Sequence, residues 1–280
     1  MTVPTITLNS TVTLNNGVTM PQLGFGVFQV PDDETTAAVA RALQTGYRSI
    51  DTAAIYGNER GVGRAIAESG IARDELFITS KAWNAEQGYD ATLRAYDASL
   101  ENLGLDALDL YLIHWPELGD GDYAGTWRGL EALYAEGRVR AIGVSNFEPV
   151  HLARILESGS VVPAVNQVEL HPAFQNRAVI AADAAAGVVT EAWSPLAQGA
   201  VLQDPAITAI AARHGRTPAQ VVLRWHLQQG RVVIPKSVTP NRIAENFDVF
   251  DFDLDPTELA AIDGLDRDGR TGPHPHEFHG

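Results

Sequence analysis

The 280-residue sequence predicts an α/β fold of the (β/α)8 TIM barrel type, and three observations carry that expectation. Eight short apolar runs recur along the chain, and segments of helical period separate them. The runs are apolar on both faces, as in Leu110-Tyr111-Leu112-Ile113, which suits parallel strands covered by helices rather than a one-sided antiparallel sheet. Such barrels use roughly 200 to 250 residues on one core, so one domain over 1–280 is expected. The competing open doubly wound sheet would carry a dinucleotide fingerprint. The nearest approach to one, Gly61-Val62-Gly63-Arg64-Ala65-Ile66, lacks the third glycine and sits inside a helical segment, so it reads as helix packing.

Taken in order, residues 5–20 read as a short β-hairpin turning at Asn15-Asn16-Gly17. The strand candidates are then Leu23–Val27, Tyr47–Asp51, Leu76–Lys81, Asp109–His114, Val139–Ser145, Ala164–Glu169, Val188–Trp193 and Val232–Lys236. Between the third and fourth, Leu93, Tyr96, Leu100 and Leu103 fall on one helix face before Gly104. Trp127, Leu130, Leu133 and Tyr134 do the same before Gly137. The tail, residues 265–280, carries glycine, proline and three histidines and is expected to lie as a lid over one barrel face.

Composition narrows the function. A net charge of −15 lacks the electrostatic footprint needed for nucleic acid or anionic membrane surfaces, so neither is an expected partner. Cysteine is absent, which removes disulfides, thiolate metal sites and cysteine nucleophiles. The N-terminus has no basic segment leading into an apolar one, and no apolar run approaches the ~18 residues of a membrane span. A cytoplasmic monomer is expected. Only two of the 20 basic residues are lysine, Lys81 and Lys236. Either these two survive compositional drift toward arginine, or a compact ammonium is needed at both places.

Barrels of this kind place reacting groups at the C-terminal ends of strands. Here Asp51 closes the second strand candidate, Lys81 the third and His114 the fourth, while Tyr56 follows Asp51 closely enough to return over the barrel mouth. A neighbouring ammonium favours a phenolate, so Lys81 is expected to bring Tyr56 down from its ordinary value of ~10 into the range of acid work near neutrality. Asp51 would hold the lysine charged, and His114 would orient a carbonyl. Each residue also has a plainer role open to it: Asp51 as a helix cap, Tyr56 as a rim aromatic, His114 as a satisfied core histidine.

Three segments now point to a family. Asp51-Thr52-Ala53-Ala54-Ile55-Tyr56-Gly57-Asn58-Glu59, Ile78-Thr79-Ser80-Lys81 and Leu112-Ile113-His114-Trp115-Pro116 resemble the signatures of the aldo-keto reductases. Gly143-Val144-Ser145-Asn146-Phe147, Asn166-Gln167-Val168-Glu169-Leu170-His171-Pro172, Ile234-Pro235-Lys236-Ser237 and Arg242-Ile243-Ala244-Glu245-Asn246 resemble its cofactor segments. The likeness runs from about Leu23 to Asp263 and is nearest to the bacterial 2,5-diketo-D-gluconate reductases, including Trp193 where many relatives have tyrosine.

The resemblance implies NADPH-dependent reduction of aldehydes, ketones or keto sugar acids. It implies a catalytic set of Asp51, Tyr56, Lys81 and His114, with Tyr56 as proton donor. Ser145, Asn146 and Gln167 match positions that bind the nicotinamide carboxamide, and Trp193 the position that stacks on its ring. Ser194, Leu196, Gln198, Val238, Glu245 and Asn246 complete the cofactor contacts. Phe28, Trp83 and Trp115 would wall the substrate pocket, shaped further by the 115–127 loop and the tail. Lys236, Ser237 and Arg242 follow the eighth strand, where barrels commonly place a phosphate site, and suit the 2'-phosphate of NADPH.

Two other functions compete. A metal-dependent barrel hydrolase could use His114 and His171, but further ligands at matching strand ends are missing and the one His-x-His, at His274-Pro275-His276, lies in the tail, so no metal is expected. A catalytically silent NADPH-binding regulatory protein on the same fold would have lost one of the four catalytic positions, and all four are filled.

Overall fold

The computed structural model describes residues 6–8, 10–117 and 121–278. Parts of the expected hairpin (Thr5, Asn9), pocket loop (Leu118, Gly119, Asp120) and tail (His279, Gly280) lie outside the described residues.

A two-stranded antiparallel hairpin, β1 (Thr11–Thr13) and β2 (Thr19–Pro21), comes first, and Gly17 at φ 86° makes its turn. Left-handed backbone of this kind suits glycine, which has no Cβ to clash. Leu14 and Met20 from this hairpin are buried with Phe77 and Val232, the first residues of two barrel strands, and with Leu110. The hairpin therefore closes the N-terminal end of the barrel.

Eight parallel strands follow in chain order: β3 (Phe25–Gly26), β4 (Ser49–Asp51), β5 (Phe77–Ala82), β6 (Leu108–Ile113), β7 (Val139–Ser145), β8 (Val165–Glu169), β9 (Val189–Trp193) and β10 (Val232–Val233). Six fall within a run expected to be a strand, while β5 runs one residue past its run to Ala82 and β6 starts one residue early at Leu108. The first and last meet through a parallel bridge from Leu23 to Val233, with the Gly24 amide donating to the Val233 carbonyl at 2.9 Å. Every residue of β5 and β6 is buried, as strands covered on both sides must be.

Helices alternate with the strands: α1 (Asp32–Thr45), α2 (Glu59–Glu68), α3 (Tyr89–Leu103), α4 (Tyr123–Ala135), α5 (Pro149–Ser158) and α6 (Arg177–Ala186). Two, α7 (Pro205–His214) and α8 (Pro218–Gln228), separate β9 from β10, and α9 (Pro240–Phe247) and α10 (Pro256–Asp263) follow. The helix ends obey local chemistry: α3 stops at Gly104 with φ 64°, and Thr217 and Gln220 cap α8 reciprocally. Gly63 explains the glycine pair in α2, because a Cβ there would lie 2.2 Å from the Leu103 carbonyl oxygen at the end of α3. It is a packing glycine, as the sequence suggested.

Candidate active site

The C-terminal strand ends converge on one rim. Asp51 ends β4, Lys81 is next to last in β5, and His114 follows β6. A single 3-10 turn, Ala54–Tyr56, ends in left-handed Gly57 and returns Tyr56 over that rim. Asn58 pins this turn: its amide donates to the carbonyls of Val27 and Val30, each at 2.9 Å, and its oxygen accepts from Thr52 at 2.8 Å.

Lys81 is fully buried, with Nζ 2.6 Å from Asp51 Oδ1 and 2.9 Å from the Thr52 carbonyl. Burial disfavours its ammonium, but the charges of Asp51 and Tyr56 outweigh that and leave its pKa raised. The Nζ lies 5.2 Å from the centre of the Tyr56 ring. Tyr56 Oη stands 3.5 Å from His114 Nε2. Burial and the neighbouring Lys81 push the His114 pKa well below its ordinary value, so this imidazole is neutral. Asp51 spends its carboxylate on Lys81 and Gln167, not on a helix end, and His114 keeps a buried, unpartnered Nδ1. The plainer roles of cap and satisfied core histidine are thus not the ones the structure assigns.

One expectation is corrected. The Tyr56 pKa is pushed up to about 12, because burial raises it more than Lys81 lowers it, and Asp51 adds to the rise. The ammonium acts, but Asp51 offsets much of its field. Tyr56 therefore keeps its proton throughout the neutral range, which is the form an acid must have.

Beside this pair lies a polar network. Ser145 Oγ donates to the Gln167 carbonyl at 2.8 Å, Asn146 donates to the His114 carbonyl at 2.9 Å, and Trp193 Nε1 donates to Asn146 Oδ1 at 2.8 Å. Asn146 sits at φ 63°, a left-handed conformation that asparagine tolerates and that aims its side chain between β6 and β9. The Gln167 amide reaches across the barrel to Asp51 Oδ2 at 2.8 Å and also donates to Glu191 Oε2 at 2.9 Å. Its own side-chain oxygen accepts from none of the described residues. The backbone then turns left-handed again at Ser194 and Gln198, flanking Leu196.

Aromatic rings surround the Tyr56–His114 pair. Phe28, largely exposed, lies 5.0 Å from Tyr56, and Trp83 lies 5.1 Å from His114. Trp115 is buried at 7% exposure. Phe278 of the tail sits beside both tryptophans, 4.4 Å from Trp115 and 6.0 Å from Trp83.

Glu169 ties the tail down, accepting from Thr271 N at 2.6 Å and Gly272 N at 2.9 Å. Gly272 has no room for a Cβ, which would lie 2.5 Å from the Trp193 ring. Farther along, His276 Nε2 meets Glu148 Oε2 at 2.6 Å, and one ligand atom each from Glu148, His151 and His276 fall within 4.8 Å of one another. His151 Nδ1, however, accepts the Glu148 amide at 3.1 Å. Its proton is then on Nε2, where a metal would need a lone pair. The trio reads as a clasp on the tail. His114 and His171, the other metal candidates, take separate partners, Tyr56 and Glu169.

At the far end, Lys236 and Arg242 are exposed and form no ion pair or hydrogen bond among the described residues, with Arg242 in the first turn of α9 and Ser237 just before it. Val238 is exposed, Asn246 is buried, and Glu245 accepts from Thr217 Oγ1 at 2.8 Å. Sequence reasoning missed Glu169, Glu191 and Phe278. Glu191 did leave a signal, a carboxylate inside a strand run apolar on both sides; Phe278, near the chain end, left none.

Comparison with known proteins identifies the family. The family model described as Aldo/keto reductase family matches residues 21–267. The chain is 53% identical to the glyoxal reductase of Bacillus subtilis strain 168, covering 97% of this chain and 98% of that one. It is 50% identical to the methylglyoxal reductase DkgA of Yersinia pestis, covering 98% and 99%. Among solved structures, a variant of Gox0644 in complex with NADPH superimposes with a TM-score of 0.93 at 51% identity, over 96% of this chain and 98% of that one. The chain belongs to the aldo/keto reductase family.

Proposed function

We propose that this protein reduces small neutral aldehydes and dicarbonyls with NADPH, and that Tyr56 supplies the proton. The carrying observation is the pair of Tyr56 Oη and His114 Nε2, 3.5 Å apart, above the buried Lys81–Asp51 ion pair. Two such groups at that spacing can both hydrogen-bond one carbonyl oxygen resting over them. The filled and contacting set of Asp51, Tyr56, Lys81 and His114 favours turnover over a silent binding protein.

The residues fit the cofactor. Two unpaired cations, Lys236 and Arg242, beside Ser237 and the first turn of α9, offer a phosphate site in a chain of net charge −15. Gln167 offers a free side-chain acceptor beside Ser145 and Asn146 for a carboxamide, and Trp193 offers a half-buried ring for stacking. Ser194, Leu196, Gln198, Val238, Glu245 and Asn246 would line the rest. When bound, the nicotinamide supplies the hydride.

The protein's part is orientation and the proton. Neutral His114 steers the carbonyl oxygen, Tyr56 Oη delivers its proton to that oxygen, and Lys81 steadies the phenolate left behind. Asp51 keeps Lys81 charged and in place. The aromatic walls exclude water.

Those walls also bear on substrate class. Apart from Lys81, already paired to Asp51, the ring and hydrogen-bond partners of Tyr56, His114, Trp83 and Trp115 include no cation among the described residues. A carboxylate would enter unpaired, which favours glyoxal-like substrates over keto sugar acids. Steady-state NADPH oxidation should give kcat/KM at least about ten-fold higher for methylglyoxal than for 2,5-diketo-D-gluconate, the worth of about 1.4 kcal/mol. The reverse order would overturn the neutral-substrate reading.

Arg242→Ala should weaken NADPH by about ten-fold or more, since hydrogen bonds to charged groups contribute about 1.5 to 3 kcal/mol, and leave NADH nearly unaffected. Fluorescence titration with both cofactors checks this, and equal weakening would move Arg242 to the shared adenosine.

A further inference from the structure

Deep in the barrel, below the rim, Glu191 occupies the middle of β9 and is fully buried. It is paired in register with Gln167 of β8, whose side-chain amide donates one hydrogen to Glu191 and the other to Asp51 on the opposite side of the barrel. Glu191 Oε1 has no hydrogen-bond partner among the described residues. The backbone ladder already joins β8 to β9 along its whole length, and an unpartnered buried oxygen is costly. Yet it stands one amide away from the ion pair that faces Tyr56.

We propose that Glu191 is a positioning residue for proton transfer: through Gln167 it orients Asp51, and its charge state sets how readily Tyr56 gives up its proton. The inference rests on the reading of Tyr56 as proton donor. Asp51 and Lys81 are the charged groups facing Glu191, and Gln167 its hydrogen-bonding neighbour. With Glu191 protonated, Asp51 and Lys81 cancel, and loss of the Tyr56 proton leaves one net negative charge in the cluster. With Glu191 ionised, the same loss leaves two, so Tyr56 becomes the weaker acid. Gln167 is also fixed in orientation, because its nitrogen donates to both carboxyl groups.

The other groups around Tyr56 do not titrate where an enzyme normally works. His114 is held well below its ordinary range and Lys81 above its own, while Tyr56 itself lies at about 12. Burial, and then the charge of Asp51 across the Gln167 amide, push Glu191 up to about 8. An alkaline loss of activity between pH 7 and 9 would therefore belong to Glu191.

E191Q keeps the shape and removes the charge. In the wild type, kcat/KM for NADPH-dependent reduction should fall about five-fold from pH 7 to pH 9, as the protonated share of Glu191 drops from about nine tenths to about a tenth and the ionised form keeps about a tenth of the rate. In E191Q the pH 9 to pH 7 ratio should stay within about two-fold of unity. The second arm needs no turnover. The phenolate absorbance of Tyr56, isolated by subtracting the matching Tyr56→Phe protein, should titrate about one unit lower in E191Q than in the wild type. Equal phenolate midpoints overturn the proposal whether or not the protein is a reductase. Equal pH ratios, or a loss of rate that is uniform across pH, overturn it as well and leave Glu191 a structural residue. A wild type without reductase activity sinks the functional reading alone, and the phenolate arm still decides Glu191. Should E191Q fail to fold, Glu191→Met removes the charge with an apolar side chain of similar length, and the same two readouts apply.

Discussion

Tyr56→Phe is expected to lower kcat for carbonyl reduction by about 10² to 10⁴-fold, the range that a positioned acid typically supplies. The substitution removes one oxygen and keeps the ring, so the contacts with Phe28 and His114, at 5.0 Å and 5.5 Å between ring centres, should persist. Cofactor affinity measured by fluorescence quenching should change little, and the loss should appear in kcat and kcat/KM together, as when an interaction exists only in the transition state. A Tyr56→Phe protein that reduces methylglyoxal at near wild-type rate would take the proton donor's role from Tyr56 and pass it to His114 or to water.

Lys81→Met should cost both rate and stability, for separable reasons. Without the ammonium, burial and Asp51 act on Tyr56 unopposed, its acidity weakens further, and a rate loss of about 10²-fold or more is expected. The substitution also strands Asp51, which is only 3% exposed, and breaking one side of a buried ion pair destabilises by about 3 to 5 kcal/mol. The double variant Asp51→Asn, Lys81→Met removes the stranded charge, so it should recover much of the stability and none of the rate. Recovery of both together would show that the single variant failed through misfolding.

The same ion pair has a pH signature. Because the Lys81 pKa is raised in the folded protein, its contribution is fully present below the unfolded value near ~10.4 and is lost as pH rises through the folded one. Denaturant unfolding should therefore give a wild-type advantage over Lys81→Met that does not shrink from pH 7 to 9, and that widens as pH rises through about 8, because Glu191 loses the lowering charge of Lys81 in the variant. A gap that shrinks within that window would mean that the lysine is already losing its proton there.

Much of this architecture was legible in the residues because it depends on local rules. The strand runs, the helix-ending Gly104 and the hairpin glycine at 17 are each settled by the period of apolar residues or by a backbone angle that few residues adopt. Asp51, Lys81 and His114 were legible too, since each polar residue comes at the end of an apolar run and barrel strands all present that end to one face. Tyr56 followed because it comes only five positions after Asp51.

What only the folded barrel decided is whatever depends on chain segments meeting from far apart. Gln167 and Asp51 are 116 residues apart in sequence, and their hydrogen bond exists because closing the sheet brings β8 across from β4. Phe278 beside Trp115 depends on where Glu169 anchors the tail. The acidity of Tyr56 depended on the fold most of all. Residue types show that Lys81 is present, but whether the phenol's pKa falls or rises is a contest between one ammonium, one carboxylate and the loss of water around them. Burial wins that contest, and burial is a property of the packed barrel rather than of any segment of its sequence.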